Sequence, residues 1–257
     1  MNPSALAGRR VVVTRPAGQA GHMAALIRAA GGEPLLFPAL EIFDTAETPQ
    51  LRALIERLDS FDIAIFISAN AVEKALALVR ARRDWPPALR VATVGRGSER
   101  ELRRHGFAAV IAPSERFDSE ALLDLPALRQ AGGKRVLIFR GEGGRELLGD
   151  TLVARGAEVE YAECYRRGRP HADPAPLLER CARRELDAFT VTSSEGLGNL
   201  HDMLGEAGRS CLEHTPLFAP HERIAAAARA LGVRTVVLTG PGDEGLVAGL
   251  AAFFAKV

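Results

Sequence analysis

Lysine is scarce in this chain, with three lysines against thirty arginines in 257 residues. The formal net charge is only +1, from 33 basic and 32 acidic side chains, so no general field draws the protein to nucleic acid or to a membrane surface. The arginine excess suits bidentate recognition of carboxylates, although genomic base composition produces the same bias. Cysteine is also sparse. Cys164, Cys181 and Cys211 are odd in number and lack C-x-x-C spacing, so neither a disulfide framework nor a zinc site is expected. The six histidines form no H-E-x-x-H unit. The opening "MNPSALAGRR" lacks the apolar stretch of a signal peptide, and no apolar run reaches the length of a membrane span. The expectation is a soluble cytoplasmic protein with no nucleic-acid and no membrane partner.

A nucleotide fingerprint is missing as well. The run "RRVVVTRPAGQ" ends in an arginine and a Gly-containing turn, where a helix start would leave N–H groups open to an anion. It has neither the G-x-G-x-x-G nor the G-x-x-x-x-G-K-[ST] spacing. The later turn "RGEGGRE", with Gly141, Gly143 and Gly144, looks phosphate-like, but its two flanking glutamates would repel an anion.

What the sequence does have is alternation. Short apolar runs such as "VVVT", "IAIFIS", "VATVG", "RVLIFRG", "AFTVTSS" and "TVVLTG" are each followed by a stretch with helical spacing. Leu51, Leu54, Ile55 and Leu58, for example, share one helix face. Near-continuous apolar strands alternating with helices predict an α/β protein with parallel sheets covered on both faces.

A repeat runs through this alternation. Arg15 ends "RVVVTR" and Arg140 ends "RVLIFR", 125 positions apart. The same offset carries Gly31 onto Gly156, Asp62 onto Asp187, Ser68 onto Ser193, Val94 and Gly95 onto Ala219 and Pro220, and Asp118 onto Asp243. Several segments in one register predict two similar small domains with a cleft between them. Ligands of such sheets bind beyond the carboxyl ends of the strands, which makes Arg15, Ser68, Gly95, Arg140, Ser193 and Pro220, with their neighbours, the candidate site.

The succession "VVVTRPAGQ", "FPALEI", "IFISANAV", "TVGRGSERELRRHGF", "FDSEALL", "IFRGEGGRELLGDTLVARGAEVEYAECYRR", "DAFTVTSSEGL" and "LFAPHERIAAAARALG" resembles the uroporphyrinogen-III synthase family from near its start to near its end. The resemblance implies two flavodoxin-like α/β halves whose first βα units are exchanged. One domain would combine 1–36 with 170–257, and the other would span 42–163. A two-stranded antiparallel linker, 37–41 and 164–169, would join them, and Arg15 and Arg140 would face each other across one cleft.

The activity implied is cyclisation of hydroxymethylbilane, with inversion of its last ring through a spiro intermediate and loss of water, without a cofactor or metal. Left alone, that linear tetrapyrrole closes to the non-inverted isomer. The enzyme's task is therefore orientation, which can supply much of a rate enhancement. A polycarboxylate substrate calls for donors. Candidates are Arg15, Ser68, Ala69, Asn70, Gly95, Ser98, Arg140, Gly141, Ser193, Ser194, His221 and Arg223, through side chains or open helix-start N–H groups. "SAN" and "SSE" are equally readable as ordinary helix caps. By resemblance Tyr165, in "ECYRR", is the group that eases departure of the bilane hydroxyl. With an ordinary pKa of about 10 it would assist without being indispensable. In the second copy, "FAPHERI" departs from the family pattern and its helix is expected to be about two residues longer than the first. The partners implied are the tetrapyrrole substrate and a transient hand-over from the preceding deaminase, with the chain acting as a monomer. A two-domain binding or regulatory protein and a nucleotide-linked transferase are the alternatives.

Overall fold

The computed structural model describes residues 4–144 and 146–255. In chain order the elements are β1 (Arg10–Val13), α1 (Gly21–Ala29), β2 (Glu33–Leu36), β3 (Glu41–Asp44), α2 (Pro49–Glu56), β4 (Ile63–Phe66), α3 (Ala69–Arg80), β5 (Arg90–Thr93), α4 (Arg96–Arg104), β6 (Val110–Ile111) and α5 (Ser119–Leu123). Then come α6 (Pro126–Arg129), β7 (Arg135–Gly141), α7 (Leu147–Ala154), β8 (Glu158–Gly168), α8 (Ala175–Ala182), β9 (Ala188–Thr190), α9 (Ser194–His214), β10 (Leu217–Ala219), α10 (Glu222–Ala230), β11 (Val236–Leu238) and α11 (Gly242–Phe254). Contacts divide them into two compact units. One holds the chain up to Glu41 together with everything from Gly168 onward, and the other holds Ile42–Arg167.

The first unit carries a sheet in the order β11-β10-β9-β1-β2, the second a sheet in the order β3-β8-β7-β4-β5-β6. Strands β1, β2 and β9 to β11 pair in parallel, as do β4 to β8. Such strands must bury both faces, and their residues alternate between two cores. Val12 faces one core of the first unit, while Val11 and Val13 face the other. In the second unit Ala64 and Phe66 point one way, Ile63 and Ile65 the other. The helix expected from Leu51, Leu54 and Ile55 forms as α2 with those three buried, and Leu58 is buried just beyond it.

The internal repeat extends to individual hydrogen bonds. The Asp62 carboxylate accepts from the Arg135 N–H at 2.8 Å, and the Asp187 carboxylate from the Arg10 N–H at 2.8 Å. Strand registers agree too, Val136 lying opposite Ile63 as Val11 lies opposite Ala188. Gly31 and Gly156 close α1 and α7 at φ of 86° and 85°, a left-handed conformation that glycine adopts without a Cβ clash.

Three expectations are corrected. From β5 and β10 onward the displacement becomes 126, since Val91 opposite Val110 corresponds to Leu217 opposite Val236, and Asp118 then falls on Glu244, not on Asp243. Gly95 therefore matches His221, not Pro220, and these two residues are the N-caps of α4 and α10. Both helices have 9 residues, so α10 is not longer. The extra residue lies upstream, between β9 and β10, where the 21-residue α9 answers the 12-residue α3.

A linker strand over 37–41 is the second expectation corrected, because the strand falls at Glu41–Asp44, beside β8. The N–H groups of Phe37 and Ala39 are engaged by the carbonyls of Val13 and Thr14, and both side chains are buried in the first unit's core. Third, Cys181 and Cys211 form a disulfide. Helices α8 and α9 bring their Cα atoms to 5.6 Å, within the reach of such a bond.

Candidate active site

In a doubly wound sheet the crevice opens where the strand order reverses. In the second unit this is the boundary between β7 and β4. Here Ser68, just past the end of β4, caps α3 by accepting the Ala71 N–H at 3.0 Å. Its Oγ also lies 3.0 Å from the Tyr165 hydroxyl. Tyr165 comes from β8 and is only 3% exposed. Its ring lies against Gly141, where a Cβ would stand 2.6 Å from Cε2.

An irregularity in the β7–β8 ladder makes this placement possible. Arg140 faces Glu163, but Gly141 faces Tyr165. A bulge of this kind re-aims side chains, so the consecutive residues Cys164 and Tyr165 both enter the same core. Burial pushes the Tyr165 phenol above its ordinary pKa, while Ser68, Arg167 and the Gly141 N–H act in the opposite sense. At neutral pH it is a neutral hydroxyl. Cys164 is buried more completely, and its thiol is pushed up to about 12.

Beside this pair the Arg140 guanidinium stacks on Tyr161 at 4.0 Å and meets Glu163 at 3.2 Å and Glu146 at 3.6 Å. Glu163 also accepts the Gly143 N–H at 3.3 Å, so an internal carboxylate engages the "RGEGG" turn. Arg140 is 8% exposed, and its Nε and Nη1 have no hydrogen-bond partner among the described residues.

The first unit places Arg15 after β1 and Ser193 after β9, at the equivalent boundary. Ser193 caps α9 through the Gly196 N–H at 2.9 Å. Arg15 meets the buried carboxylate of Asp243 at 2.8 Å. Asp118, which only the uncorrected offset of 125 pairs with Asp243, instead caps α5 and pairs with Arg116. Arg15 and Arg140 thus occupy matching strand ends with unmatched partners. The Ser194 Oγ is buried without a partner among the described residues.

Of the remaining candidates, Ala69 is exposed and Asn70 half-buried in the first turn of α3. Gly95, His221 and Pro241 cap α4, α10 and α11 without a side-chain hydrogen bond, which leaves helix-start N–H groups open to an anion. Ser98 is 5% exposed, on the inner face of α4 with Leu102. His221 and Arg223 are exposed. Asp243, Glu163 and Tyr161 were not among the expected site residues. The repeat pointed to Asp243, but nothing local marks the other two.

Each unit is thus a doubly wound α/β module with hydroxyl, guanidinium and open amide groups at the carboxyl ends of its strands, the class of protein that binds ligands there. The chain belongs to the uroporphyrinogen-III synthase HemD family, which it matches over residues 21–248. Uroporphyrinogen-III synthase of Escherichia coli (strain K12) is 35% identical over 236 residues, covering 91% of this chain and 96% of that one. The Salmonella typhimurium enzyme of the same name is 37% identical over 236 residues, with the same two coverages of 91% and 96%. Among solved structures, a mutant uroporphyrinogen III synthase of the extremely thermophilic bacterium Thermus thermophilus superposes with a TM-score of 0.63 at 22% identity, over 97% of this chain and 100% of that one. Uroporphyrinogen-III synthetase of Helicobacter pylori 26695 gives a TM-score of 0.57 at 14% identity, over 96% and 98%. At those identities the structures speak for the fold.

Proposed function

We propose that this chain, an enzyme of the uroporphyrinogen-III synthase family, closes hydroxymethylbilane to uroporphyrinogen III, inverting the last ring through a spiro intermediate and releasing water. The observation that carries the reading is the identity of 35% and 37% to synthases over 91% of the chain. That match leaves the binding-protein alternative without support. The Glu163 carboxylate on the Gly143 N–H disfavours a nucleotide at that turn.

Substrate carboxylates are held by donors at the strand ends of each unit: the helix start that Ser68 caps, through the N–H groups of Ala69 and Asn70, the open starts of α4 and α10 at Gly95 and His221, Ser193 and Ser194, and the guanidinium of Arg223. Arg15 and Arg140 contribute by exchanging an internal carboxylate for one of the substrate's, at a cost set by the pairs they leave. Ser98 supports α4 from its buried face. Tyr165, beside Gly141, supplies a proton as the bilane hydroxyl departs. Positioning carries most of the acceleration, and the phenol, neutral and weakly acidic, adds a smaller share. The enzyme works in the cytoplasm as a monomer, and the preceding deaminase hands over a substrate that would otherwise close without inversion. No helix among the described residues is long and apolar enough to cross a membrane.

Incubation with freshly generated hydroxymethylbilane, followed by oxidation and separation of the uroporphyrin isomers, tests the reading. Isomer III is expected. Only the non-inverted isomer, formed at the uncatalysed rate, would refute it. Tyr165→Phe is expected to lower kcat about tenfold, below the usual range for a general acid matched to the working pH. An unchanged kcat removes Tyr165 from the mechanism.

A further inference from the structure

We propose that Ser68 is the group that hands its proton to the departing hydroxyl, and that Tyr165 acts through Ser68 by replacing that proton. This rests on the synthase reading above and assigns the order of proton transfer within the same site.

The argument begins with access. Tyr165 is 3% exposed, with its ring seated against Gly141, whereas Ser68 is only half-buried at the carboxyl end of β4, where ligands of such sheets lie. A serine hydroxyl has one donor and two acceptor positions. The Ala71 N–H, at 3.0 Å, takes one acceptor position and holds the rotamer. The Tyr165 hydroxyl, at 3.0 Å, is the other neighbour. That contact pairs the phenol with the Ser68 side chain.

The bond between the two hydroxyls can run either way; the relay uses the direction in which Tyr165 donates, which keeps a buried phenol hydrogen from the cost of about 1–3 kcal/mol of being left without an acceptor. With Tyr165 donating, both acceptor positions of Ser68 are filled, and its own hydrogen is free for an external oxygen. That oxygen is the leaving hydroxyl.

In the step itself, the C–O bond of the hydroxymethyl group breaks and its electron pair stays with oxygen. Oxygen takes the Ser68 proton and departs as water, while the Tyr165 proton moves to Ser68 Oγ and leaves a phenolate. Ring closure later releases one proton from the substrate, and the reverse shift along the pair restores the phenol. The phenolate is met by the new Ser68 O–H, by the Gly141 N–H from β7, and by the Arg167 charge on its own strand. Cys164, also on that strand, acts against it.

The test compares Ser68→Ala, Tyr165→Phe and the double variant in the isomer assay. Each single change is expected to lower kcat by about the same tenfold, and the double variant by no more than either. Ser68→Thr, which keeps hydroxyl and cap, is expected to restore turnover. Ser68→Gly, a tolerated cap, is expected to match Ser68→Ala and so separates the relay from helix stability. A Ser68→Ala enzyme with undiminished kcat, or losses that multiply to about a hundredfold in the double variant, would overturn the relay. If the unaltered enzyme forms no isomer III, the synthase reading falls with it.

An independent readout uses the tyrosines. The chain has two, so in a Tyr161→Phe background Tyr165 alone titrates in the ultraviolet. Ser68→Ala is expected to raise its midpoint because the phenolate loses a donor. An unmoved or lowered midpoint would overturn the pairing.

Discussion

Replacing Gly141 by alanine tests how Tyr165 is held. The added Cβ would lie 2.6 Å from Cε2, 2.8 Å from Cζ and 3.1 Å from Cδ2 of the Tyr165 ring. Carbon atoms settle at about 3.5–4.0 Å, so the ring must retreat by about 1 Å. Since Tyr165 is sealed in the core with Cys164 and Ala71, the retreat displaces neighbours. Overpacking of this kind costs about 1–3 kcal/mol. Moving the hydroxyl from its 3.0 Å contact with Ser68 forfeits a hydrogen bond worth about 0.5–1.5 kcal/mol. The expected loss is about 2–4 kcal/mol, with kcat falling at least as far as in Tyr165→Phe. Urea unfolding followed by the fluorescence of Trp85, the only tryptophan, reports on the same unit. Gly97→Ala is the control, because nothing lies within 4 Å of its Cβ position in α4. It should be neutral or stabilising by up to about 1 kcal/mol. In a Tyr165→Ala background Gly141→Ala should cost almost nothing further. A Gly141→Ala protein within about 0.5 kcal/mol of the unaltered one would refute the seating of the ring.

Two other predictions concern the cysteines. The Cys164 thiol, pushed up to about 12 by burial, should resist iodoacetamide at pH 8 in the native protein and react once unfolded. Because its folded pKa lies above the unfolded value of about 8.5–9, its contribution is complete below that range and is lost as pH rises toward 12. The protein should lose about 1–2 kcal/mol relative to Cys164→Ala between pH 7 and 10, and parallel pH profiles in urea would contradict this. The Cys181–Cys211 bond closes a loop with a sequence separation of 30, for which chain entropy predicts about 3–4 kcal/mol. A phosphine reductant should lower the urea midpoint of the first unit, read by circular dichroism, and coincident curves with and without it would show that the bond contributes nothing.

The α/β class was legible because parallel strands need apolar residues on both faces, and "RVVV" and "RVLIF" display them without periodicity. The repeat was legible for a related reason. Asp62 and Asp187 each tie down a neighbouring strand through its N–H, and that geometry keeps the residue type at a fixed distance along the chain. The second copy's extra length was legible, but its size and place were not: one residue, before β10 and not in α10, follows only from the strand partners. The bulge that turns Tyr165 inward has no residue signature. Nor do the ion pairs of Arg15 with Asp243, made across the length of the chain, and of Arg140 with Glu163, made across neighbouring strands. Cys181 and Cys211 are related only through the packing of α8 on α9.

The position of β3 beside β8 bears on how the chain folds. The Thr190 Oγ1 reaches the Val12 carbonyl across 178 positions, while the Arg135 N–H reaches Asp62 across only 73. On loop closure alone the longer span costs about 0.8 kcal/mol more, and during synthesis β1 is exposed long before β9 exists. The second unit is continuous in the chain and can fold as it emerges. Once it does, its entrance and exit strands lie at one edge of its sheet, and the long loop between the two halves of the first unit is already drawn closed. With that order of folding, the inserted unit shortens the loop that its host has left to close.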